Sequence, residues 1–284
     1  MVDVTRRLRI LDRWQRSFLP LAFVVGVVKK YGEDHGGYQA ALLTYYGFLS
    51  LFPLLLVLTT LVQWLPGPSS HLRGRIISAA TDTFPVIGEQ LQQSVHGFSK
   101  TGLPLLIGLL ILLYGARGVA DAFRHAANNI WRVPLHERSS FWAALGKNYS
   151  IVFGGGAGFL AAAIVAGYAS SVHHDWGLRA VFLLLNLVLL FLSFQFLMGV
   201  AVAKRLSFRD IWVGAAVATI GLFVLQNLGT YLFTHELKNL GHLYGTFAVV
   251  LGMLFWLYLQ TQLVVYAMEV DTVRKFKLWP RDLF

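Results

Sequence analysis

The chain contains no cysteine. That absence removes disulfides, thiolate nucleophiles and cysteine-held zinc or iron–sulfur centres together. Charge is scarce as well: 13% of the 284 residues are charged, against about 25% in soluble domains. Acidic residues are the scarcer kind, 14 against 24 basic ones. A soluble globule of this size would lack the polar residues to cover its surface. Disorder is excluded too, because it needs low hydrophobicity. What the chain does have is apolar: 56% hydrophobic and 14% aromatic residues, with a mean hydropathy of +0.59. This is the composition of an integral membrane protein.

A helix needs about 20 mostly apolar residues to cross roughly 30 Å of hydrocarbon. Six stretches qualify: Ala40–Trp64, Thr101–Val119, Tyr149–Ala169, Leu178–Ala203, Ile211–Phe233 and Leu243–Met268. They predict an all-α fold, a bundle of six transmembrane helices. A seventh apolar run, Phe18–Val28, is too short to cross and carries Pro20, so it reads as a short interfacial or elbow helix. No small-residue cleavage site follows it, and Lys29 and Lys30 come next, so it reads as retained rather than as a signal peptide. The expected organisation is a basic amino-terminal segment over 1–39, a membrane domain over 40–269 and a basic tail over 270–284.

With six spans, 19 of the 24 Lys and Arg residues fall on the side of the two termini. The other side holds five: Arg73, Arg75, Lys100, Arg179 and Lys238. The positive-inside rule makes the richer side cytoplasmic, which predicts a multi-pass protein with both termini inside. The same bias accounts for a net charge of +10 without nucleic acid, and leaves anionic membrane lipids as the expected partners.

The one long outer loop, Leu65–Lys100, opens with Pro66-Gly67-Pro68 and then spaces Ile76, Ile77, Ala80, Phe84, Ile87, Leu91 and Val95 as on amphipathic helices. Such a segment either caps the bundle or gates it. Gly154, Gly155, Gly156 and Gly158 permit close helix packing within the third span; a homo-oligomer is compatible with the sequence but not specified by it. Pro53 should kink the first span.

Carboxylates and histidines are missing from the centres of the expected spans, which argues against a proton relay. Arg117 and Asp121 fall at the inner end of the second expected span, one helical turn apart, and can pair; Arg124, Asn128 and Asn129 follow. Glu269 closes the sixth span. The neutral polar residues Tyr45, Tyr46, Gln195, Gln226 and Gln260 either hydrogen-bond between helices or line a groove for a headgroup. His173-His174-Asp175 on a short loop does not make a closed metal site. The sequence carries no Walker, H-E-x-x-H or G-x-S-x-G motif, so no metal, cofactor or catalytic residue is expected.

Three segments in matching order resemble the YihY/BrkB family of bacterial inner-membrane proteins. They are Gln39-Ala40-Ala41-Leu42-Leu43-Thr44-Tyr45-Tyr46 with Leu49-Ser50-Leu51-Phe52-Pro53-Leu54, Tyr114-Gly115-Ala116-Arg117-Gly118 with Ala126-Ala127-Asn128-Asn129-Ile130-Trp131, and Leu243-Tyr244-Gly245-Thr246 with Trp256-Leu257-Tyr258 and Glu269. The resemblance runs from about Gly32 to Asp271 and implies six helices with cytoplasmic termini. Members of that family were once labelled ribonuclease BN; others are linked to serum resistance or proposed as transporters. The expected function is a transporter or flippase-like protein for a lipid or lipid-linked envelope precursor. The alternatives are a non-catalytic envelope scaffold and, with no catalytic constellation in the sequence to support it, a ribonuclease.

Overall fold

A computed structural model describes residues 19–64, 103–171, 175–235 and 241–281, with 52–64, 103–105, 170–171, 230–235 and 241–249 as backbone only. Every regular element among them is helical. In chain order they are α1 (Leu19–Glu33), α2 (Gly36–Trp64), α3 (Leu103–Ile130), a 3₁₀ turn (Leu135–Glu137), α4 (Phe141–Ser150), a π turn (Ile151–Gly155), α5 (Gly156–Ser171), α6 (Trp176–Ala201), α7 (Phe208–His235) and α8 (Gly241–Phe276). Among the described residues five stretches are long and apolar enough to cross a membrane: Leu106–Ile130, Phe141–Ala169, Trp176–Ala201, Phe208–Gly229 and Val250–Phe276. The first expected span lies on α2, a helix of 29 residues. The outer segment Leu65–Lys100 and His173-His174 lie outside the described residues.

The third span is a composite. α4, the π turn and α5 run on from one another, and the glycines sit where α6 comes closest. A Cβ on Gly154, Gly155 or Gly158 would lie 2.6, 2.4 or 2.3 Å from Phe196, Leu197 or Ser193. The glycine run is therefore a packing surface within the chain. α7 and α8 use the same device: Gly214, Gly221 and Gly229 face Asp271, Leu263 and Trp256 in turn, as expected where packing rather than hydrophobicity holds helices together.

α3 departs from expectation most. The second span was expected to end at Val119, but the helix continues to Ile130. Ala120, Phe123, Ala126, Ala127 and Ile130 are buried at helical spacing, and that inward face carries the helix through its charged residues. It closes with Arg132 at φ 51°, where the Val133 and Arg132 amides donate to Asn128 O (2.9 Å) and Asn129 O (2.9 Å). This is a Schellman ending, and its left-handed residue is basic, as suits a helix carboxyl end.

α1 packs against α8 instead of lying free at an interface. The Phe23 and Trp279 rings meet edge-on at 5.2 Å, and Gly26 leaves room for the Leu278 carbonyl. Tyr31 stacks on Tyr266 at 3.9 Å, and the Gln262 amide donates to Tyr31 Oη and Tyr258 Oη. Burial pushes the Tyr31 phenol above its ordinary range.

Candidate functional site

One end of the bundle collects the polar side chains. α3, α6 and α8 finish there, while α2, α4 and α7 begin there. Two separate networks occupy it.

The first lies along α3. Arg124, buried, donates from Nη1 to Asn148 Oδ1 on α4 (2.9 Å) and Asp121 Oδ1 (3.1 Å). Asn148 Nδ2 reaches the same Asp121 oxygen at 3.3 Å. One turn on, Asn128 Nδ2 donates to Arg124 O and Ala201 O, and its Oδ1 accepts from the Ala203 amide at 2.8 Å. Asn128 thereby supplies partners for the backbone where α6 ends. Lys147 Nζ adds a bond to Val202 O at 2.9 Å.

The second network ties α1, α3 and α8 together. Lys30 is fully buried, and its ammonium donates to Glu269 Oε2 (2.7 Å), Ile130 O (3.0 Å) and Asp34. All three protons of the ammonium are used. Glu269 is fully buried as well, and its Oε1 has no hydrogen-bond partner among the described residues. Two residues further on, buried Asp271 accepts from the Gly214 amide at 2.7 Å. Arg274 Nη2 donates to Asp210 O at 3.0 Å and lies 3.9 Å from Asp271. α8 is thus pinned to the first turns of α7.

The sequence expectation is redistributed accordingly. Asp121 pairs with Arg124 and His125 rather than with Arg117. Glu269 meets Lys30 and not the α3 polar residues. Of the two asparagines only Asn128 is buried; exposed Asn129 accepts from Arg138 at 2.7 Å. Gln195 donates to Phe208 O at 3.1 Å, a bond between helices. Gln260 is half-buried, with a buried Nε2 that lacks a partner among the described residues. Gln226 is half-buried on α7. Tyr46 packs over Gly118 while its edge-on neighbour Tyr45 is exposed. Lys30 and Asp271 were missed. The available signal for Lys30 was a cation with no role, placed between two apolar helices.

Arg117 stands apart. It is exposed, with fourteen helical residues before it and thirteen after it on α3, so it lies near the middle of the helix rather than at an end. The exposed stripe of α3 passes Ile107, Leu110 and Tyr114 to reach it. One turn later the same face turns in against α4 at Asp121 and Arg124.

A model of the family described as virulence factor BrkB matches residues 27–279. The chain belongs to the virulence factor BrkB family. A relative from Chromohalobacter salexigens, named UPF0761 membrane protein, is 28% identical over 93% of this chain and 66% of its own length. This chain therefore spans just under two thirds of that relative. The ribonuclease-like protein YfkH of Bacillus subtilis is 24% identical over 89% of this chain and 95% of its own. A UPF0761 membrane protein of Vibrio campbellii is 27% identical over 93% and 85%. No solved structure matches the chain. Among the described residues of this BrkB-family chain, no three His, Asp or Glu side chains gather as metal ligands would.

Proposed function

We propose that this BrkB-family protein moves or exposes an amphipathic substrate in a bacterial inner membrane, a lipid or a lipid-linked envelope precursor, with both termini in the cytoplasm. The observation that supports this is the polar face of α3. At one end it is bonded into the bundle through Asp121, Arg124, Asn128 and Asn148. Towards mid-helix it opens outward at Arg117. A face that is polar at the membrane boundary and accessible from the side suits a headgroup whose acyl chains stay in lipid. The 19-to-5 distribution of basic residues supports the orientation.

The scaffold reading draws on the glycine packing of α7 on α8 and on the sealed Lys30–Glu269 pair, both of which hold helices without offering access. The protein is read as a non-enzyme. The ribonuclease-like name belongs to the Bacillus relative, and the sequence here offers no ligand-spaced cluster for phosphodiester hydrolysis. Mass spectrometry of lipids retained by the purified protein separates the two readings. Enrichment of one amphipathic class over bulk membrane lipid is expected; a retained pool identical to bulk lipid means a scaffold.

A further inference from the structure

Two helices give the position of Arg117 along the bundle. Along α3 it lies eleven residues before Asn128, which meets the end of α6 at Ala201 and Ala203. At about 1.5 Å per residue that is about 16 Å. From the neighbouring helix, Gly118 touches Tyr46, ten residues into α2 from Gly36, or about 15 Å. Both place Arg117 about 15 Å from the polar end of the bundle, inside the apolar stretch Leu106–Ile130 that is long enough to cross a membrane. A guanidinium within a membrane-spanning stretch needs a partner.

Among the described residues no hydrogen bond or ion pair reaches Arg117. Asp121 is the acidic residue within a turn; its Oδ1 accepts from Arg124 and Asn148, and its Oδ2 faces His125 at 3.6 Å. Of the remaining acidic residues in the described helices, Glu269 and Asp271 are buried on α8, Asp210 caps the first turn of α7, and Glu33 closes α1. The sequence puts none near the centre of another expected span. Arg117 is also open. Leu110 and Tyr114 on its face are 59% and 71% exposed, and α3 does not pack along α5 among the described residues.

We propose that Arg117 is an intramembrane binding site for a phosphate-bearing lipid headgroup, entered sideways from the bilayer. The guanidinium fork gives two parallel N–H···O bonds to one phosphate. The Tyr114 hydroxyl on the same exposed stripe supplies a further polar group, and the apolar remainder of that stripe accompanies the acyl chains. The site deepens the transport reading by naming the headgroup chemistry, and it rests on that reading for the reason a headgroup would leave the membrane surface.

The experiment uses full-length protein in detergent, with one fluorophore on a Leu110→Cys background made clean by the absence of native cysteine. Dihexanoyl phosphatidic acid, dihexanoylglycerol and inorganic phosphate are each titrated. Saturable binding of phosphatidic acid is expected, with dihexanoylglycerol and inorganic phosphate at least tenfold weaker. Arg117→Gln should weaken phosphatidic acid at least tenfold and Arg117→Lys severalfold, while Arg179→Gln at the opposite end changes nothing. Arg117→Lys keeps the charge and so stays informative should Arg117→Gln not fold. Unchanged affinity in either Arg117 variant overturns the site, and equal binding of inorganic phosphate overturns its assignment to lipid. An unchanged Arg117→Gln titration beside lipid enrichment in the wild type would sink the site alone. A bulk-like lipid pool beside Arg117-dependent binding would sink the transport reading alone.

Discussion

The Lys30 ammonium lies 2.7 Å from Glu269 Oε2 and joins the first described helix to the last across 239 positions of sequence. Both side chains are fully buried. A pair this dry gains little net stability over an apolar replacement, but removal of one partner strands a charge. That asymmetry makes it testable.

Lys30→Met should destabilise the protein by about 3–5 kcal/mol, because Glu269 keeps its burial and loses its cation. Lys30→Met with Glu269→Leu should recover most of the loss. Thermal unfolding in detergent, followed by size-exclusion chromatography, reads both; a double variant as unstable as the single one would mean that the pair is not the source of the effect.

Gly214→Ala should lower folded yield sharply. The added methyl would lie 2.2 Å from Asp271 Oδ2 and 2.4 Å from Ala267 O, so α7 and α8 must part and the Gly214–Asp271 bond must stretch. Gly146→Ala on α4 meets nothing within 4 Å and should stabilise by about 0.5–1 kcal/mol through helix propensity. Opposite signs in a melting comparison are the expected result.

Adjacent asparagines should behave differently. Asn128→Asp replaces a buried donor to two carbonyls with a carboxylate, which should cost about 1–3 kcal/mol or more. Asn129→Asp leaves an exposed acceptor for Arg138 in place and should be close to neutral. Equal melting temperatures for the two variants would contradict the role assigned to Asn128.

Cysteines at Ser94 and His174 should react with a membrane-impermeant thiol reagent in intact cells, and cysteines at Ser139 and Ser207 only after lysis. Labelling at Ser139 or Ser207 in unbroken cells would overturn the termini-inside orientation.

The spans are legible because each is a run of apolar residues long enough to cross, a local property of sequence. The end of α3 is less so. Its inward residues Ala120, Phe123, Ala126, Ala127 and Ile130 keep helical spacing, but Arg117, Asp121 and Arg124 interrupt the hydropathy and suggest a membrane boundary at Val119. Periodicity instead of mean hydropathy carries the helix to Ile130 and puts Arg117 near its middle. The Lys30–Glu269 pair is a different case. Its partners come together only through the docking of α1 on α8, and no local pattern encodes that contact. Asp271 is hidden for the same reason, since its acceptor role depends on a glycine in another helix.

The order of synthesis gives the Lys30–Glu269 contact a meaning in biogenesis. Chains emerge amino terminus first, so Lys30 is made before any of the spans and Glu269 after nearly all of them. Until the final helix arrives, the ammonium has its neighbour Asp34 but not the fully buried carboxylate of Glu269. α1 can therefore seat on the bundle only once α8 is in place, and the pair acts as a completion mark: a chain truncated before Glu269 leaves its own first helix undocked.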